Sequence, residues 1–140
     1  MNEYQEYFNK TASKALATTD KNGNPNVCLC GSAFMIDEST IIAASGFFDH
    51  TEKNIKETNR AVFMAFQPLS VEYWKHYEET GQQLFLSGIR FYCVLKETAT
   101  DGPMLEGIKK RLRGRVGNRI PDSLKSLLVF SVVEIRKLDF

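Results

Sequence analysis

The sequence predicts a mainly β chain, with six strands forming a small antiparallel barrel and helices at its periphery. Three observations carry this. Short runs rich in β-branched, aromatic and alanine residues alternate with turns bearing Asn, Asp, Gly or Pro. Helical stretches fall at irregular intervals, so no β-α-β alternation supports a doubly wound parallel sheet. Closely spaced strands read as hairpins, and hairpins with few helices favour a small barrel.

Taken in order, residues 2–10 read as an amphipathic helix, because Tyr4, Tyr7 and Phe8 share one face at helical spacing. Ala15 to Thr19 is the first strand. Asp20 to Asn24 supplies a strong turn with an Asn-Gly step. Val27 to Ile36 reads as one continuous second strand, completing a hairpin. After a turn at Asp37 to Ser39, Thr40 to Ala44 is a third strand, apolar enough to be buried on both faces. Thr51 then reads as a helix N-cap, with Glu52 in the first turn and the helix ending near Thr58. Ala61 to Phe66 is the fourth strand, closed by Pro68. Ser70 to Thr80 has helical spacing of Val71, Trp74 and Tyr77, with Gly81 as its stop. Gln83 to Ala99 is the fifth strand, where Gly88 signals a bulge or a close backbone approach. Pro103 opens a basic helix over Met104 to Arg115, and Asp122 or Ser123 starts a short turn. Leu127 to Ile135 is the sixth strand. No repeat, low-complexity tract or linker interrupts residues 1–140, which read as a single domain.

The net charge is +1, so no overall field draws the chain to nucleic acid or to a membrane. An anionic ligand therefore needs a local site. Cys28, Cys30 and Cys93 are odd in number and no signal peptide precedes them, which implies a reducing, cytoplasmic setting and structural thiols. His50 and His76 are the only histidines, so no histidine-rich metal site is expected. No apolar run is long enough to span a bilayer. The sequence offers no general acid–base pair, and no catalytic residue is assigned.

From Ala15 to Phe66, and again from Gly88 to Pro103, the chain resembles the pyridoxamine 5′-phosphate oxidase-like split-barrel family. The ALAT run, the D-x-x-G-x-P turn, the D-x-x-T turn, the T-x-x-N helix start and the AVFMAF strand carry the likeness, in that order. The resemblance implies a split barrel of Greek-key type that pairs as a homodimer and binds two FMN molecules between its protomers. It places the backbone of Leu29, Cys30 and Gly31 against the flavin or its ribityl chain. It places the phosphate along the bend Ser45, Gly46, Phe47, His50 and Thr51.

Elementary chemistry supports such a bend. A helix start presents unpaired amides and partial positive charge, Gly46 admits close approach, and the hydroxyls of Ser45 and Thr51 can donate. Many relatives carry Lys or Arg where His50 stands, so either FMN is held less tightly at alkaline pH or the phosphate draws on another basic residue, with Arg90 or an arginine of the partner chain's Lys109 to Arg119 segment as candidates. Phe47 and Trp74 suit stacking on a ring, and Phe48 suits the core. The expected function is an FMN-dependent oxidoreductase or small electron carrier, with no nucleic-acid or membrane partner. Pyridoxamine phosphate oxidation is not expected. The alternative is the same barrel holding haem, deazaflavin or another flat anion. Residues 67–81 read either as a lid over the ligand or as packing at a dimer seam.

Overall fold

The computed structural model describes residues 2–46 and 49–138. Twelve elements follow in order: α1 (Glu3–Lys10), β1 (Lys14–Thr19), β2 (Pro25–Leu29), β3 (Ala33–Asp37), β4 (Thr40–Ser45), α2 (Asp49–Thr58), β5 (Arg60–Phe66), α3 (Val71–Thr80), β6 (Gly88–Ala99), α4 (Pro103–Val116), α5 (Arg119–Ser123) and β7 (Ser126–Lys137). The class is as expected, mainly β and antiparallel with peripheral helices. The strand count is not: there are seven strands in one open sheet, in the order β2-β1-β5-β6-β7-β4-β3.

The extra strand comes from the stretch read as one strand over 27–36. Alternation runs through Cys30, then slips at Ser32 and Ala33, which are both buried. A period-two pattern cannot survive two adjacent inward residues. The chain therefore leaves β2 at Gly31 and starts β3 at the opposite edge of the sheet. The barrel is split between these two edges.

Local signals set most boundaries. Asn2 caps α1 by accepting from the Gln5 amide at 2.8 Å, and Ser70 caps α3 by accepting from the Tyr73 amide at 3.1 Å. The carboxylate of Asp20 gathers the Asn22 and Asn24 amides and the Asn24 side chain within 2.8–2.9 Å, closing the β1–β2 turn. Strand β6 starts at Gly88 rather than Gln83. A Cβ at Gly88 would lie 2.9 Å from the Ala65 carbonyl oxygen, so the close-approach reading holds there, while the register shifts fall at Tyr92/Cys93 and Leu95/Glu97. Helix α5 ends at Ser123 instead of starting there.

Inside the barrel, Phe8 packs edge-on against Phe63 and Phe91, and Phe63 packs edge-on against Phe130, at centroid distances of 5.1–6.0 Å. Leu16, Met35, Ile41 and Ile55 complete this core. A second core lies outside the sheet, where Leu105, Ile108 and Leu112 of α4, with Leu124, cover Ile42, Ala44, Leu127 and Val129. Strand β4 and the first half of β7, Ser126 to Phe130, are thus buried on both faces, as the apolar run in β4 predicts. Among the described residues nothing comparable covers the outer face of β2, β1 and β5.

Candidate functional site

Two places bear on ligand binding: the bend that follows β4, and the open outer face of the sheet. At the bend, α2 begins at Asp49, so Thr51 lies inside the helix and is not its cap. Its side chain points inward and is 2% exposed. The Thr51 hydroxyl donates to Cys28 Sγ at 3.5 Å and accepts from Asn26 Nδ2 at 2.9 Å. Ser45 is 1% exposed. Its hydroxyl donates to Glu52 Oε2 at 3.0 Å, while Ser126 donates to Glu52 Oε1, also at 3.0 Å.

Glu52 therefore clasps β4 and β7 to the first turns of α2. Gly46 is pressed against the segment before β7, since a Cβ there would meet the Ser123 carbonyl oxygen at 2.1 Å. The Lys125 amide donates to the Ser45 carbonyl at 2.8 Å. His50 is exposed on the first turn of α2. Phe47 and Phe48 lie outside the described residues.

A phosphate beside Ser45 would thus face a carboxylate and find the hydroxyls of Ser45 and Thr51 already committed. These two side chains do not fit the role the sequence suggested for them. Sequence reasoning missed Glu52 because its second partner is 74 residues away.

The open face is different. Residues aligned across the strands form two rows: Leu29, Ala15, Met64, Arg90 and Arg136, then Val27, Ala17, Val62, Tyr92 and Glu134. Leu29 is 77% exposed and Val27 68%. The Cys30 amide donates to the Lys14 carbonyl at 2.9 Å. Antiparallel alternation then turns the amides and carbonyls of Leu29 and Val27 to the free edge, away from β1. Of the three backbone positions expected to meet a flavin, Leu29 and Gly31 are open. Gly31 has clear space where a side chain would be. Cys30 faces the core, and burial pushes its thiol up to about 11.

On this face a depression of about 480 Å³ is lined by Ala17, Thr19, Val27, Arg60, Val62 and Tyr92, with Asn26 at its margin. That size is in the range of small-molecule sites. Asn26 joins the two places, since it borders the depression and donates to Thr51. Alternation could have flagged it: Asn26 shares the inward face with Cys28, a polar residue where the pattern calls for an apolar one. An apolar concavity beside unpaired backbone donors and acceptors fits a flat ring with a polar edge. Trp74 sits on α3 with its ring against Tyr73 at 5.3 Å, away from this depression's lining. Among the described residues no group of three or more His, Cys, Asp or Glu could hold a metal ion.

The family model for pyridoxamine 5′-phosphate oxidase matches residues 1–139. Among solved structures, an FMN-binding protein from Syntrophomonas wolfei subsp. wolfei is 29% identical with a TM-score of 0.77, over 99% of this chain and 88% of that one. The haem storage protein HutZ from Vibrio cholerae is 19% identical with a TM-score of 0.62, over 96% and 92% of the two chains. An F420 reductase is 12% identical with a TM-score of 0.67, over 97% and 98%. These last two likenesses show a shared fold alone. No curated protein matches the chain.

Proposed function

The chain belongs to the pyridoxamine 5′-phosphate oxidase family, and on that premise we propose that it is a cytoplasmic FMN-binding flavoprotein, an oxidoreductase or small electron carrier, that holds its cofactor at a homodimer interface. The observation that carries this reading is the open sheet face. An apolar depression adjoins a strand edge whose amides and carbonyls have no partner strand, in a chain 29% identical to an FMN-binding protein.

Exposed, flat, apolar strand edges invite pairing, and a second copy would cover Val27 and Leu29 while enclosing the ligand. The chain's own residues would then do three things. The Leu29 edge would offer donors and acceptors to the ring. Val27, Val62 and Tyr92 would exclude water from its face. Asn26, through Thr51, would tie the ligand wall to α2. Bound flavin supplies hydride or electron transfer, and the protein orients it.

Among the described residues no helix is long and apolar enough to cross a membrane.

The test is direct. Protein purified without added cofactor, or titrated with FMN, is expected to show flavin absorbance in a dimer by sedimentation. A colourless protein that leaves FMN fluorescence unchanged overturns the reading. The second reading, haem or a deazaflavin on the same face, draws on the fold shared with HutZ and the F420 reductase. The absorbance spectrum separates the three ligands.

A further inference from the structure

We propose that the tip formed by the end of α4 and the start of α5 docks this protein on an anionic lipid bilayer surface. The inference is independent of the flavin reading. It starts from how charge is distributed. The net charge of +1 gives the chain as a whole no pull toward a membrane, but that charge is not evenly spread. Residues 103–125 carry seven Lys or Arg against two acids, while the remaining residues carry eleven against fifteen. One lobe is thus strongly basic and the rest of the molecule is acidic. Charge acts over about 8 Å at physiological ionic strength, so the lobe, and not the sum, decides what it attracts.

The same lobe exposes apolar side chains. Every residue from Arg113 to Ile120 is exposed, and none of them is acidic. Val116 is 52% exposed and Ile120 43%. Arg115 and Arg119 each stand directly before one of them. Gly117 turns the chain between the two helices with φ 85°. Neither Arg115 nor Arg119 belongs to an ion pair among the described residues, and the same holds for Lys110 and Lys125.

This tip is firmly held. Leu105, Ile108 and Leu112 anchor α4 on β4 and β7, and Arg113 bridges to Asp122 of α5 at 2.9 Å. Val116 and Ile120 are therefore held outward, although α4 buries three other aliphatic residues.

Three kinds of anionic partner answer a basic field, and the aliphatic residues discriminate among them. A nucleic-acid duplex is gripped by charge and by polar donors, and leaves Val116 and Ile120 without a role. An acidic protein would need a pocket shaped for them. A bilayer accommodates both parts: arginines reach the lipid phosphates while short aliphatic chains enter the boundary between headgroups and acyl chains. The cytoplasmic leaflet supplies the negative surface potential. Val27 and Leu29, the exposed apolar pair of β2, have no such basic escort, since residues 22–52 contain no Lys or Arg. The two apolar surfaces thus suit different partners.

The experiment floats the full-length chain with vesicles of pure phosphatidylcholine and with vesicles of equal parts phosphatidylcholine and phosphatidylglycerol. The wild type is expected on the mixed vesicles only, with binding that weakens as salt is raised. Arg115→Gln with Arg119→Gln should lose roughly thirtyfold in vesicle affinity, at about fivefold for each cation near an anionic surface. Val116→Gln with Ile120→Gln, which leaves the charge untouched, should lose about tenfold. Both double variants should keep the far-UV circular dichroism of the wild type. Lys21→Gln with Lys75→Gln removes the same charge elsewhere and should bind as the wild type does. The proposal is overturned if the wild type ignores the mixed vesicles, if the Lys21 and Lys75 variant loses as much as the arginine variant, or if the Val116 and Ile120 variant binds in full. A short duplex DNA or polyglutamate bound as tightly as the mixed vesicles would mark a different partner and overturns it too.

Discussion

The two halves of this sheet are built from similar residues and finished differently. In the half containing β4 and the start of β7, α4 and the segment around Leu124 cover the outer face, so both sides of β4 and of residues 126–130 are buried. In the half containing β2, β1 and β5, only the inner face is covered, and valine and leucine side chains stand outside. Apolar content alone does not distinguish the two. The distinction is that one half finds its cover within the chain, while the other presents an apolar surface for something else. A single exposed Leu needs no explanation, but Val27 and Leu29 exposed together beside an unpaired edge and an apolar depression do.

If this contrast is right, substitutions in the covered half should act on stability and those in the open half on association. The largest effect is expected for Leu105→Ala, which hollows the outer core. It should cost about 2–5 kcal/mol in urea unfolding. A loss under about 1 kcal/mol would mean that α4 is not a true cover.

Gly46→Ala forces a methyl group into the Ser123 carbonyl and should cost about 1–3 kcal/mol. A neutral result would reopen the bend to a ligand. Glu52→Ala leaves the Ser45 and Ser126 hydroxyls without their acceptor. It should cost about 1–3 kcal/mol, read in the same way, with Glu52→Gln milder because it keeps an acceptor oxygen.

The buried thiols come next. Burial pushes Cys30 up to about 11 and Cys93 up to about 12. Unfolded thiols ionise near 8.5. Above that pH the unfolded chain sheds protons that the folded chain retains. Stability therefore falls as pH rises from about 9 toward 11, by about 1 kcal/mol per pH unit for each thiol. Lys14 acts in the opposite sense, since burial lowers its pKa and favours the neutral amine in the folded state. Cys93→Ala should flatten the alkaline decline in unfolding midpoints, and an unchanged slope would show that Cys93 does not contribute.

The smallest effect on folding, and the sharpest on the contrast itself, is expected from Val27→Thr with Leu29→Thr. These exposed substitutions should change the stability of an isolated chain by no more than about 0.5 kcal/mol yet dissociate the dimer in sedimentation. A persistent dimer would place the association surface elsewhere.

Much of the architecture was legible in the sequence because it rests on local chemistry. Asn2, Ser70 and Gly81 mark helix ends within a turn of the residues they cap. The Asp20 turn is closed by partners at most four residues away. The doubly buried β4 shows as an unbroken apolar run.

The break between β2 and β3 was not legible, because Cys30 to Ala33 contains no charge or proline to mark it. It is decided by which edge each strand finds. The site was only half legible for the same reason. The backbone at Leu29 entered through the family resemblance, and the strand order shows it at a free edge. The use of the Ser45 hydroxyl depends on Glu52 and on β7, and Thr51 depends on Asn26 from another strand.

The strand order also carries a consequence for how the chain assembles. Strands β2, β1 and β5 all lie within residues 14–66, whereas β4 has no neighbour on its inner side until β7 arrives at residues 126–137. A growing polypeptide can zip its early hairpin and fifth strand well before the distant closure is possible. The greasy half is thus the older one in each molecule's history. Pulse-labelled hydrogen exchange should show the Leu16 and Met64 amides, which face β2 and β1, protected before those of Ile41 and Phe130, which pair β4 with β7, and the reverse order would refute that history.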